Sequence, residues 1–233
     1  VAEKRSALWV DSYSGQTIPK EGIDILNRFS RVFEQAYVRF LDLQKAEAQA
    51  REAQIEAALE RVRSRSMGMQ RGADLKGVVK ELYDQLRLLG FQFGAASITI
   101  MDAETGDFDW WMEGFDEGYD LPEKYHVPFF DHNGHRQQIE HWKNGSNYTV
   151  VEIAGLEKKA YDAYYFLQTD FAKAPENSKN LMMSEDSVIF SMAYMRYGAL
   201  SWSPSKLDEN QAIVLQRMAK VFEQTLSIIH ISQ

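Results

Sequence analysis

Cysteine is absent from the 233 residues, which excludes disulfides, thiolate metal sites, cysteine nucleophiles and thioether-linked chromophores. Positive charge is also scarce. The formal net charge is -8, whereas a nucleic-acid surface needs clustered Lys and Arg, so no nucleic-acid partner is expected. The one local basic run, Arg61, Arg63 and Arg65, sits among Glu and Ser on a helical pattern and reads as a solvated helix face. No apolar run approaches the ~20 residues of a membrane span, and no secretory segment opens the chain. The expectation is a cytoplasmic protein without direct membrane insertion. Val1 in place of an initial Met fits a piece of a longer protein.

Catalytic signatures are missing too. There is no phosphate-cradling Gly loop, no Gly-x-Ser-x-Gly elbow, and no kinase or metalloprotease motif. No Asp or Glu pair is made compelling by its position. The chain itself is therefore read as no enzyme. What it does have is 45% hydrophobic and 12% aromatic residues, enough for a packed core.

The two ends of the chain repeat each other. Leu26, Arg28, Val32, Phe33, Glu34 and Gln35 recur as Leu215, Arg217, Val221, Phe222, Glu223 and Gln224, at a constant offset of 189 residues. Each run follows a short apolar stretch, Ser6-Ala7-Leu8 in one case and Gly198-Ala199-Leu200 in the other. Apolar period alone would not preserve the Arg and the Glu-Gln pair. Residues 1–40 accordingly read as the strand-and-helix tail of a preceding, truncated unit, residues 41–72 as a helical connector, and residues 73–233 as a complete domain.

Neither Pro nor Gly falls between Gly22 and Gly68, so one helix of ~45 residues, roughly 68 Å long, is expected there. Phe29, Phe33, Phe40 and Leu43 form one stripe along it, and after an alanine-rich interval Ile55, Leu59 and Val62 resume. These seven residues read as a seam for a second copy of the helix, and hence as a homodimer.

From Asp74 the pattern becomes helix, hairpin, mixed short elements, hairpin, helix. An α+β fold follows, with a central antiparallel sheet, terminal helices on one face and an irregular middle over the other. Gly114–Lys124 reads as a loop, Pro175-Glu-Asn-Ser-Lys-Asn as a loose segment, and alternation turns only one of Trp110 and Trp111 inward.

The densest polar cluster is Tyr125, His126, Asp131, His132, His135, Arg136, His141 and Trp142. The spacing of His132, His135 and His141 does not match a zinc-binding helix, so no metal is expected. A ligand pocket on the covered face of the sheet is the better reading. Trp110 or Trp111, Tyr164, Tyr165, Phe166, Met192 and Met195 would line it, with Trp111, Tyr165 and Met192 singled out, and His132, His135 or Arg136 would orient the ligand. Packing of the same aromatic and Met residues as plain core is the alternative.

The run Glu52-Ala-Gln-Ile-Glu-Ala-Ala-Leu-Glu-Arg-Val-Arg-Ser-Arg-Ser-Met-Gly-Met69, followed by the hairpin, terminal strands and flanking helices, resembles a GAF domain of a bacterial multidomain sensor. The resemblance covers roughly residues 52–230. It implies a signal-transduction module, of the two-component kind or similar, whose parent continues into a histidine kinase or nucleotide cyclase. GAF domains bind small ligands, bilins or cyclic nucleotides, or simply dimerise. Without cysteine no covalent bilin is expected, and the identity of any cofactor is left open. The functional expectations are a sensory relay with a small-molecule ligand, a dimerisation spacer without one, and, third, an enzyme of unrecognised type.

Overall fold

A computed structural model describes residues 1–13, 15–69, 74–92, 94–114 and 124–231, with the side chains of all but 178 and 225–231. The chain divides into two compact units, Val1–Gln54 and Ile55–Gln233. The expected uninterrupted helix is present as α1, Lys20–Met67, and contributes residues to both. No helix among the described residues is long and apolar enough to cross a membrane.

In Val1–Gln54 the first eight residues form a small turn. Ala2 and Ala7 bridge antiparallel, and the Glu3 amide donates to the Ser6 carbonyl at 2.7 Å. Glu34 of α1 holds this turn by accepting the Arg5 amide at 3.0 Å and the Ser6 hydroxyl at 2.5 Å. The buried Ser30 hydroxyl donates to Glu3 at 2.6 Å. Phe29, Phe33, Phe40 and Leu43 remain more than half exposed on this part of α1, and Phe33 stacks on Tyr37.

The second unit begins with the C-terminal part of α1. Ile55, Leu59 and Val62 are buried in its core, so the stripe read from the sequence as one dimer seam is divided. Its first half is exposed, and its second half is used internally. α2 (Leu75–Leu88) follows. Its Leu75, Val78, Val79, Leu82 and Leu86 recur at three- and four-residue spacing and are all buried. Gly90, at φ +91°, ends it.

Six strands come next, β1 (Ala95–Met101), β2 (Phe108–Glu113), β3 (Tyr125–Val127), β4 (Tyr148–Ala154), β5 (Ser187–Met195) and β6 (Gly198–Ser203). They form one antiparallel sheet in the order β3-β2-β1-β6-β5-β4. α3 (Asn133–Lys143) precedes β4. Between β4 and β5 lie α4 (Gly155–Gln168), a 3-10 turn over Asp170–Lys173 and α5 (Glu176–Ser184). α6 (Glu209–Ile231) closes the unit. Its start is a reciprocal cap in which Asp208 accepts the Gln211 amide at 2.8 Å and Gln211 accepts the Asp208 amide at 3.1 Å.

The sheet is covered on both faces. Ala96, Ile98, Trp111, Ala193, Met195, Leu200 and Trp202 pack with α2, α6 and the end of α1. Trp110, Met112, Val151, Ile153, Phe190, Met192 and Ala199 pack with α4 and the 3-10 turn. This is the α+β arrangement expected from the sequence. Burial on both sides also explains the tryptophan pair. Trp110 and Trp111 point to opposite faces, and both are buried.

Two other expectations differ. The segment read as loose is largely α5, because Pro175 sets its entry and Lys179 ties it back to the Ala172 carbonyl at 3.1 Å. The loop expected over Gly114–Lys124 lies, apart from its two end residues, outside the described residues.

The turn between β5 and β6 is anchored as the N-terminal turn is. Glu223 of α6 accepts the Arg196 amide at 2.8 Å, and Glu223 and Glu34 are equivalent in the internal repeat. The same turn places Gly198 at φ +153°, where a Cβ would lie 1.8 Å from the Thr99 carbonyl oxygen of β1. Because that neighbour is backbone in the centre of the sheet, Gly198→Ala is expected to cost about 3 kcal/mol or more. Gly90→Ala, whose Cβ meets nothing within 4 Å, is expected to cost about 1 kcal/mol. Urea unfolding of the two variants checks the difference.

Candidate functional site

A cavity of about 310 Å³ opens between the second face of the sheet and α4, the 3-10 turn and α5. The sheet itself makes the room. On this face β6 presents Ala199, Ser201 and Ser203, whereas Leu200 and Trp202 face the helices behind it. Ser201 satisfies its hydroxyl on Ser97 across the β1–β6 pair at 2.6 Å, so small polar side chains stand there without open hydrogen bonds.

α4 supplies the opposite wall. Lys158, Tyr161, Asp162, Tyr165 and Phe166 line the cavity, at the three- and four-residue spacing that places them on one helix face. Trp110 and Met112 come from β2, Phe171 from the 3-10 turn, Val188 and Phe190 from β5, and Leu181 and Met182 from α5. The rings contact each other edge to face or stacked. Trp110 lies 5.1 Å from Phe171 and 6.1 Å from Tyr165, and Tyr161 stacks on Tyr165 at 4.0 Å.

The polar groups in this wall are few and buried. Lys158 pairs with Asp162 at 2.5 Å and also donates to the Met182 carbonyl at 2.9 Å. Burial pushes the Asp162 carboxyl above its ordinary range, against the opposing pull of Lys158. Trp110 Nε1 is buried and finds no hydrogen-bond partner among the described residues, whereas the buried hydroxyls of Tyr161 and Tyr165 interact with each other. Burial raises both phenols well above the usual tyrosine range, so both remain protonated.

Of the ligand residues singled out from the sequence, Tyr165 lines this cavity. Met192 is buried in the same core without lining it. Trp111 lies on the opposite face of the sheet, with Lys124 over its ring at 5.9 Å. The other three belong to the start of α3. His132 caps that helix, its Nδ1 accepting the Gly134 amide at 3.1 Å while Nε2 meets the Glu157 carbonyl oxygen at 2.9 Å and the Glu157 carboxylate at 3.0 Å. The Nδ1 acceptor assigns the ring proton to Nε2. Arg136 is exposed and pairs with Asp131. His135 is fully buried between Phe108 and Phe129, with Nε2 3.3 Å from the Gly106 carbonyl oxygen.

The remaining members of the polar cluster scatter. His126 meets Asp109 at 2.9 Å, His141 meets Ser146 at 3.3 Å, and Tyr125 stacks on Phe171. Among the described residues no three His, Asp or Glu side chains gather in a way that would hold a metal ion.

Sequence reasoning named Trp110 as an alternative to Trp111 and missed Lys158, Tyr161, Asp162 and Phe171. A usable signal was present in α4. Lys158 and Asp162 stand four residues apart on the face that also carries Tyr161, Tyr165 and Phe166, and an opposite-charge pair within an aromatic stripe marks a buried pair.

Burial lowers the His135 imidazole from 6.5 to about 4, outweighing the Gly106 contact. The unfolded chain therefore takes up a proton near pH 6.5 while the folded chain does not until about pH 4. The stability associated with this histidine is full above pH 6.5, declines as pH falls, and stops declining near pH 4. Its upper bound is about 3 kcal/mol. His135→Phe is expected to flatten the fall in stability between pH 6.5 and 4 relative to the unaltered chain, measured by urea unfolding across that range.

Compared with known proteins, the chain matches no protein-family model and no curated sequence.

Proposed function

We propose that this chain is a non-catalytic sensory and relay module that binds a small molecule in the cavity beside α4. The observation that carries the reading is the cavity itself. It holds about 310 Å³ of space walled largely by aromatic and Met side chains. Pockets of this size and lining suit small ligands.

The sheet offers a route for relay. Trp110 faces the cavity and Trp111, next along β2, packs with the helices behind the sheet. Met192 and Ala193 divide in the same way on β5. An occupant that shifts these strands biases α2, α6 and the end of α1, provided it binds one arrangement better than the other.

The resemblance of residues 52–230 to a GAF domain supports placing the module in a bacterial signalling protein, cytoplasmic, with a histidine kinase or nucleotide cyclase as output. The paired Glu34 and Glu223 anchors support reading residues 1–40 as the closing turn and helix of a preceding unit of the same kind. The test is thermal denaturation against a metabolite library, run on the chain and on Val188→Trp, which fills the cavity from β5. Specific ligands are expected to raise the midpoint of the unaltered chain by several degrees and leave the variant unmoved. A library without effect on either sinks the sensor reading.

A second reading, a dimerisation spacer, is favoured by the exposed stripe of Phe29, Phe33, Tyr37, Phe40 and Leu43. It predicts a homodimer in sedimentation equilibrium that Phe33→Glu weakens at least tenfold. A monomer at high micromolar concentration would remove it.

A further inference from the structure

We propose that the cavity beside α4 takes an uncharged compound with an apolar body of about ten carbons, held by packing rather than by an ion pair. This rests on the sensor reading and specifies its ligand.

Size is set by the walls. Trp110, Met112, Tyr165, Phe166, Phe171 and Phe190 line a space of about 310 Å³. An apolar cavity of about 150 Å³ holds one benzene ring, so this one suits roughly two fused rings or a compact chain of similar bulk. The wall rings brace one another. Trp110 lies 5.1 Å from Phe171 and 5.9 Å from Phe190, and rings held by several neighbours do not turn freely to fill the space themselves.

The aromatic residues turn carbon toward that space. Trp110 Nε1 and the hydroxyls of Tyr161 and Tyr165 are sealed among other atoms, and the two hydroxyls interact with each other. None of the three has surface to offer an occupant. Ser187 and Ser203 bring neutral hydroxyls to the lining. These tolerate a single polar group on a ligand and give an ion nothing to neutralise it. A sugar of the same bulk would bury several hydroxyls that such walls leave unmet.

Charge is excluded by the one ion pair. The side chains of Lys158 and Asp162 are each more than nine-tenths buried and meet at 2.5 Å, and Lys158 also donates to the Met182 carbonyl at 2.9 Å. An anion would have to take Lys158 from Asp162, and a cation would have to take Asp162 from Lys158. Either exchange leaves a buried charge unpaired, which costs far more than a new surface contact returns. Glu185, the other charged residue lining the cavity, is exposed. A cation beside it stays in water, where an ion pair contributes little.

Four probes separate these statements: naphthalene, 2-naphthoate, 2-naphthylmethylammonium and methyl glucoside. Equilibrium dialysis is expected to give naphthalene an affinity about tenfold or more above each of the others. In carbon-13 spectra of chain labelled at the methionine methyls, Met112 and Met182 line the cavity and should shift in the ring current of naphthalene. Exposed Met67 on α1 should not. Each resonance is assigned by its loss in the Met→Leu variant, and Val188→Trp should weaken naphthalene binding at least tenfold.

Binding of either ion or of methyl glucoside as tight as that of naphthalene overturns the ligand class. Where Val188→Trp removes that binding, the cavity still stands as the sensor site. Naphthalene binding that leaves Met112 and Met182 unshifted lies elsewhere on the chain and overturns the proposal. Absence of binding by all four probes overturns it too, and the metabolite library then decides the sensor reading separately. Should Val188→Trp not fold, the methyl shifts of the unaltered chain locate the site alone.

Discussion

Strands β1 and β6 lie at the centre of the sheet and are covered on both faces, and the rest of the second unit answers to that constraint. Each buried strand must send apolar side chains both ways, and every amide between them must be paired within the sheet. Ile98 and Leu200 sit opposite each other toward α2 and α6, and Ser97 and Ser201 sit opposite each other on the other face. Gly198 exists for the same reason. Its lack of a side chain lets the β5–β6 turn close against the backbone of β1.

The asymmetry between the two faces creates the candidate site. Behind the sheet, large residues such as Trp202, Phe91 and Phe222 interlock. In front, the short side chains of Ser187 and Ser203 border space that the rings of α4 surround without filling. A dense face and a loose face joined by shared strands form a mechanically unequal pair.

Much of this architecture was legible in the sequence because it is periodic. α2 and α6 show three- and four-residue apolar spacing, the hairpins are marked by turn residues, and the Gly- and Pro-free stretch of α1 carries strong helix formers. The His-rich cluster misled. His132 and His135 have the composition of a site, but one spends both ring nitrogens on local contacts and the other is sealed between two phenylalanines. Residue type announces what a side chain is able to do, and burial and partners decide whether it is free to do it.

By itself the sequence determined the order of elements apart from α5, the α+β class, the internal sequence repeat and the exclusion of thiol chemistry, since each depends on local spacing or composition. Only the tertiary structure decided that Trp110 rather than Trp111 meets the cavity, that Ile55, Leu59 and Val62 belong to the unit's own core, and that Lys158 and Asp162 are buried together. Those outcomes turn on which face of an element its neighbours cover. An alternating or helical pattern defines faces without saying what lies against each.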